Sequence, residues 1–377
     1  MDFRLSEEQQ QFADSLRRWV EKDYTFETRQ KIVKSAAGVS DTAYASLVEL
    51  GAVALAVPEN ADGLGGKSED MMLVMKELGR GLVAEPYFAT VLGADFLRRG
   101  GKTAQLKEVA AGKLKLACAL NEKEAGDELF NIAVTARKDG DGYVIQGLKC
   151  AVIHGAQAGG LIVSVRTGGA QRDTNGISLL YVPRDTQGVT VTGYRTFDGQ
   201  RGADIRFDNV RVPASALIGA EGSGWDILEA ATDYGVTLLC SEAVGVMEAA
   251  NALTLEYLKT RKQFGVAIGT FQVLQHRMGD MLVHVEQAKS ITMLATVKAL
   301  SAPPEERRKL ASAAKVRVGK AMEFVGRQAI QMHGGMGMTN EMAISHYFKR
   351  LTAIEMTLGN TSFHRNRFIK QTDFAAV

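Results

Sequence analysis

Two short segments hold the residue types that could do chemistry, Arg261-Lys-Gln263-Phe264 and Gln331-Met332-His333-Gly334-Gly335. Taken singly, each member has a plain reading. Arg261 reads as a solvated helix charge. Gly334 and Gly335 read as a helix C-cap, the commonest use of such glycines. His333 reads as a satisfied structural histidine rather than a catalyst. The three cysteines, Cys118, Cys150 and Cys240, lie far apart in apolar stretches and lack metal-ligand spacing, so no zinc site is expected. An odd, scattered set reads as reduced, buried thiols of a cytoplasmic protein.

The elements that must position these segments show in the texture of the chain. At 377 residues, two or three domains are expected. A net charge of +2 gives no argument for nucleic acid or an acidic membrane surface. The acidic start at Met1-Asp-Phe-Arg lacks the basic, apolar pattern of a leader, and no run of apolar residues is long enough to predict membrane insertion. Residues 1–115 read as helical: Ser6 before Glu-Glu-Gln fits a capped start, and Phe12, Leu16 and Val20 recur at helical spacing. Residues 116–218 turn to short β-rich runs such as Leu161-Ile-Val-Ser-Val and Ser178-Leu-Leu-Tyr-Val, separated by Asp-Gly, Gly-Gly and Asn-Gly. Residues 219–377 return to helix, with Pro304-Glu-Glu suited to a first turn. The order predicts an α+β chain: an N-terminal helical domain, a middle antiparallel β domain and a C-terminal helical domain.

Several segments, in order, resemble one family. Val57-Pro-Glu followed by Gly63-Leu-Gly-Gly66 is similar to the N-terminal loop of acyl-CoA dehydrogenases. Phe207-Asp-Asn-Val-Arg-Val-Pro213 with Ile218-Gly-Ala-Glu-Gly-Ser-Gly-Trp225 resembles that family's passage from middle to C-terminal domain. Arg261-Lys-Gln-Phe-Gly265 with Gln275-His276 matches its second signature. Gln331 to Gly337 with Tyr347-Phe-Lys-Arg350 matches its third. The resemblance spans nearly the whole chain. It implies a middle β barrel, a C-terminal four-helix bundle and a tetramer. It also implies FAD, an acyl-CoA thioester and electron-transfer flavoprotein as acceptor. Arg261 would grip the FAD pyrophosphate of a neighbouring subunit, where its planar charged fork suits two phosphates. Gln263 and Phe264 would assist, Phe264 as an apolar wall. Gln331 and the backbone of Met332, His333, Gly334 and Gly335 would line the same nucleotide.

The departures from the family are as informative. The family's catalytic carboxylate falls at Leu358, and its alternative location, counted back from Arg261, falls at Gly235. Leucine and glycine cannot take a proton. Leu351 stands where the family has Asp. The strand that offers Trp and Thr to the flavin ring reads Lys149-Cys-Ala151-Val-Ile153, and the loop before it reads Asn121-Glu-Lys-Glu-Ala-Gly126-Asp127. Groups that serve the chain's own ring and base look lost, while groups lent to a neighbour look intact. The pattern is similar to the small, β-type subunit of heteromeric acyl-CoA dehydrogenases, such as those acting on pimeloyl-CoA or steroid side chains. It predicts an α2β2 assembly with a homologous catalytic subunit. The alternatives are a self-sufficient homotetramer with a relocated base and a catalytically dead scaffold. For the relocated base, Glu355 leads, three residues before Leu358 and so on roughly the same helix face. Asp233 and Glu242, which flank Gly235, follow with less weight, since most such carboxylates are solvated or paired.

Overall fold

Ser6 starts the first helix as its sequence predicts. In the computed structural model, which describes residues 5–371, Ser6 Oγ accepts from Gln9 N–H at 3.2 Å and Gln9 Oε1 accepts from Ser6 N–H at 3.0 Å. That reciprocal cap opens α1 (Glu7–Lys22), which buries Ala13, Leu16, Trp19 and Val20 on one face. Then come α2 (Phe26–Lys34), α3 (Asp41–Glu49), α4 (Ala52–Leu55), α5 (Ser68–Arg80), α6 (Tyr87–Arg99) and α7 (Thr103–Ala110). Met1 to Arg4, the start of the stretch read for a leader, lie outside the described residues.

The strands follow as β1 (Leu116–Ala119), β2 (Thr135–Asp139), β3 (Gly142–Ile153), β4 (Gly160–Arg166), β5 (Ile177–Pro183), β6 (Val189–Arg195), β7 (Arg201–Pro213) and β8 (Leu217–Ile218). They form one sheet in the order β6-β7-β3-β2-β4-β5-β8, with β1 also on β4. The helix–sheet–helix plan therefore holds, with two corrections to the middle domain. The sheet is mixed, because β1 runs parallel to β4 (Leu116 opposite Gly160) and Thr135 of β2 meets Arg166 of β4 in parallel. Its strand path is also open rather than a closed antiparallel barrel. The parallel neighbours have a simple cause: β1 and β4 are not joined by a hairpin but by β2 and β3 between them in sequence. Strand β4 is buried along its whole length, which explains the apolar run Leu161-Ile162-Val163 within it. Pro183 and Pro213 close β5 and β7, positions where a missing donor is tolerated.

After the sheet come α8 (Trp225–Thr260), a two-stranded hairpin of β9 (Lys262–Gln263) and β10 (Val266–Ala267), α9 (Gln272–Lys298), α10 (Pro304–His333), α11 (Ala343–Met356) and α12 (Thr361–Lys370). Pro304 sits in the first turn of α10, as expected of a residue without a backbone donor.

The chain packs as two compact units. Among the described residues, one gathers 5–30, 68–83 and 233–371; the other gathers Lys31–Lys67 and Ala84–Thr232. The N-terminal helices thus divide between the units, α1 and α5 going with the C-terminal helices. Glycines set that packing. A Cβ on Gly79 of α5 would lie 2.2 Å from the Glu242 carbonyl oxygen, and one on Gly245 of α8 would lie 1.8 Å from that of Lys76. Only glycine lets these two backbones approach so closely. Helix α8 is long and apolar enough to cross a membrane by length and composition, but 78% of its most apolar stretch is buried inside the protein. It is a core helix. Of the cysteines, only Cys240 in α8 is buried, and burial pushes its thiol up to about 12; Cys118 and Cys150 are half-buried, and all three are free.

Candidate functional site

Arg261 follows the last residue of α8, its N–H bonded to the Tyr257 carbonyl at 2.8 Å and its own carbonyl accepting from Ile268 N–H at 2.9 Å. The backbone is thereby fixed on both sides. The side chain is exposed, and among the described residues it makes no hydrogen bond or ion pair. The hairpin that follows turns on Phe264 (φ 54°) and Gly265 (φ 82°), the paired left-handed residues of a tight two-residue turn. Phe264 is 90% exposed and touches Phe271 edge-on, with ring centroids 6.2 Å apart. An aromatic residue both in the left-handed region and in solvent gains little from its own chain.

Gln331 to Gly335 end α10. His333 Nδ1 lies 2.8 Å from the Ala329 carbonyl, and burial lowers its pKa. Its ring stacks on Tyr257 at 4.4 Å, and Tyr257 Oη donates to the His333 carbonyl at 3.4 Å. His333 is therefore a structural residue, as its plain reading held. It ties the end of α10 to Tyr257, one turn before Arg261, and so brings the two sequence segments together. Tyr257 was not singled out from sequence, although its spacing four residues before Arg261 on a helix was the available signal. Gly334 has φ 60° and closes the helix. Gly335 lacks a left-handed φ, and a Cβ there would meet nothing within 4 Å. Nothing inside the chain requires that glycine. Gln331, Gly334 and Gly335 are exposed, while Met332 and His333 are buried.

The β3 positions that the resemblance assigns to the flavin ring sit on an ordered frame. Lys149 is fully buried. Its Nζ donates to Glu122 Oε1 at 2.7 Å, Ser164 Oγ at 2.9 Å and the Leu120 carbonyl at 3.3 Å. Burial pulls the Lys149 pKa down to about 8 against the opposing pull of Glu122. Glu122 also accepts from Ala133 N–H at 2.7 Å and Val134 N–H at 3.2 Å. Between Lys149 and Val152 the β3–β7 register shifts, and Ala151 in that bulge has φ 52°, with its N–H donating to Asp204 Oδ1 at 3.1 Å. Ala151 is exposed and Ile153 half-buried. Neither side chain offers a donor or an aromatic face.

Every carboxylate weighed as a base has a structural occupation. Asp233 is 2% exposed and ion-paired with both Arg307, at 3.0 Å, and Arg367. Glu242 is held by Arg350 through Nε and Nη2, at 2.5 and 2.8 Å. Glu355 Oε1 accepts from Thr361 N–H at 2.7 Å, at the start of α12, although its buried Oε2 has no hydrogen-bond partner. Gly235 is buried in α8. Leu358 has φ 54° and Gly359 φ 91°, so the chain turns sharply there. Two buried groups hold that turn: Lys315 Nζ donates to the Ile354 and Thr357 carbonyls at 2.9 and 2.6 Å, and His364 Nε2 donates to the Leu358 carbonyl at 2.8 Å. Ala151, Phe264 and Leu358 are three of seven non-glycine residues with positive φ among the described residues, the others being Asp62, Leu82, His154 and Asn209.

Comparison with known proteins decides the family. Models of the acyl-CoA dehydrogenase N-terminal, middle and C-terminal domains match residues 6–113, 117–210 and 222–372.

The chain belongs to the acyl-CoA dehydrogenase family.

A probable acyl-CoA dehydrogenase of Bacillus subtilis, YngJ, is 31% identical over 97% of this chain and 98% of its own. The structure of the steroid ACAD Tcur3481-Tcur3483 superposes with a TM-score of 0.88 at 26% identity, covering 97% of both chains. The ChsE4-ChsE5 complex of Mycobacterium tuberculosis shares the fold, with a TM-score of 0.88 at 24% identity over 98% of each chain. Acyl-CoA dehydrogenases are FAD-dependent oxidoreductases. The residues here fit that cofactor on one side. An exposed, unpaired Arg261 and the open backbone at Gly335 suit a diphosphate. The side chains of Ala151 and Ile153 on β3, and separately of Leu358, carry no hydrogen-bonding group.

Proposed function

We propose that this chain is a non-catalytic, β-type subunit of a heteromeric acyl-CoA dehydrogenase. Arg261, Gln263, Phe264, Gln331 and the backbone from Met332 to Gly335 complete the FAD site of a homologous catalytic subunit. The assembly removes hydrogens from the α and β carbons of an acyl-CoA thioester and passes electrons to an electron-transfer flavoprotein. The flavin supplies the redox chemistry; this chain supplies charge and donors at the nucleotide. The observation that carries the reading is the occupation of the carboxylates. Leu358 and Gly235 stand at the base positions, Asp233 and Glu242 are locked in buried ion pairs, and Glu355 caps a helix. The paired name of the steroid ACAD Tcur3481-Tcur3483 and the ChsE4-ChsE5 complex support a heteromer.

The test is the flavin content of the purified chain alone and after co-expression with a paralogue that carries the carboxylate. The expected result is little FAD and no turnover alone, and both restored in the complex. Stoichiometric FAD with turnover from the chain alone would sink the proposal.

The unpartnered Oε2 of Glu355 favours one second reading, a self-sufficient enzyme that uses Glu355 as its base. Glu355→Gln separates the two. In the heteromer the variant is expected to keep its partner's turnover within about twofold, since only a cap is altered. A loss beyond a hundredfold, with the fold intact by circular dichroism, would favour Glu355 as the base.

A further inference from the structure

A cavity with no part in the flavin grip lies inside the helical unit between α5, α8 and α9. It encloses about 290 Å³ and is walled by Leu73, Val244 and Met293. Two features make it more than a packing gap. Thr292 lines it, is 1% exposed, and its hydroxyl has no hydrogen-bond partner. A buried, unpaired hydroxyl is a standing cost, and a helical threonine ordinarily avoids it by bonding back to its own helix. The neighbouring Ser241 does so, donating to the Thr237 carbonyl at 2.7 Å.

The second feature is charge. Lys76 and Lys289 also line the cavity, with side chains 21% and 43% exposed. Both share one carboxylate: Glu248 lies 3.0 Å from Lys76 and 3.7 Å from Lys289, and Arg80 adds a third cation at 2.9 Å. Lys289 is also 3.7 Å from Glu286, and both of its carboxylate contacts are too long for a hydrogen bond. Arg80 is also bonded to Glu77, at 3.0 Å, and Lys76 to Glu248, so it is the Lys289 ammonium, with no carboxylate within hydrogen-bond distance, that has donors left for a second anion at the mouth.

We propose that this cavity binds a straight-chain monocarboxylate, its carboxylate between Lys76 and Lys289 and its chain against Leu73, Val244 and Met293. The size is at the low end of small-molecule sites and limits the ligand to about eight carbons. Walls that are aliphatic apart from the hydroxyls of Ser241 and Thr292, with the cations at the rim, select against bulky acids. The proposal does not depend on the β-subunit reading.

Octanoate titrated into the purified full-length protein by calorimetry tests it, with 1-octanol as the uncharged comparison. The expected result is one saturable octanoate site per chain. Lys76→Gln with Lys289→Gln should weaken octanoate at least about tenfold, the effect of losing charge-assisted hydrogen bonds, and leave 1-octanol unchanged. Met293→Trp, at a half-buried wall position, should abolish both. Lys289→Gln alone alters only a partly exposed side chain and keeps the test valid where the wall variant misfolds. Its octanoate affinity should fall while its circular dichroism does not change. No saturable binding by the unaltered protein overturns the proposal. So does octanoate binding at full strength by folded Met293→Trp or Lys289→Gln, since the ligand would then sit elsewhere.

Discussion

Arg261→Ala is expected to lower the FAD affinity of the assembled enzyme by about 10–100-fold while leaving the folding of this chain unchanged. Charge-assisted hydrogen bonds to phosphate contribute about 1.5–3 kcal/mol, which sets the range. The second half of the prediction follows from exposure. Arg261 has no intrachain hydrogen bond or ion pair among the described residues, and its backbone bonds to Tyr257 and Ile268 survive truncation. Surface substitutions of that kind stay within about 0.5 kcal/mol. Fluorescence titration of the flavin-stripped complex measures the first half, and urea unfolding of the chain measures the second. Arg261→Lys should recover only part of the affinity, because an ammonium cannot bond two phosphates as a fork. An unchanged affinity would leave Arg261 as the solvated charge its spacing alone suggests. A large loss of folding stability would show that it serves this chain rather than a neighbour.

Much of the fold was legible because its elements follow local rules. Ser6 and Gln9 cap α1, and Pro304 opens α10, by chemistry contained in a few consecutive residues. The long strand β7 is less visible, because Asp204, Arg206, Asp208 and Arg211 alternate with buried Ile205, Phe207, Val210 and Val212, and its C-terminal half carries the motif that resembles a passage between domains. The parallel pairing of β1 with β4 depends on a strand separated from it by two others, which no local pattern encodes.

The site divides in the same way. Arg261 and Gln331 could be picked out because their segments keep motif order. Lys315 could not, and Tyr257 only through its helical spacing from Arg261. The Tyr257–His333 stack joins α8 to α10, and Lys315 meets its carbonyls across a helix boundary, so neither contact leaves a trace at short spacing. Lys315 is also the residue type least expected in a core. Its burial becomes intelligible only once the carbonyls of Ile354 and Thr357, at the end of α11, are seen to face it. The sequence also could not tell Asp233 and Glu242 from free acids, because Arg307, Arg367 and Arg350 reach them from other helices.

His364 should make this protein labile to acid in a way that one substitution removes. The ring is 1% exposed, and burial, reinforced by the Lys315 and Arg367 cations, depresses its pKa to about 3 despite its bond to the Leu358 carbonyl. The unfolded chain takes up a proton near the ordinary value of about 6.5, while the folded one refuses it until about pH 3. The unfolded state therefore binds more protons throughout that window, and stability falls with pH by up to about 1.4 kcal/mol per unit from this group alone. His364→Gln keeps a side-chain donor for Leu358 and cannot titrate. It should be less stable than the unaltered chain at pH 7.5, through poorer packing, and overtake it by roughly 2 kcal/mol at pH 4.5. Urea unfolding at the two pH values measures both. Parallel behaviour of the two proteins would show that the ring protonates without unfolding. The same anchoring bears on function. Lys315 and His364 grip the backbone of the turn, at the carbonyls of Ile354, Thr357 and Leu358, and not the side chain at position 358. The turn is thus held whichever residue occupies it, so Leu358→Glu should leave the acid sensitivity set by His364 in place. On the proposed β-type reading, the chain keeps this frame without a base because the frame is made of bonds to the backbone, which do not involve the side chain at position 358.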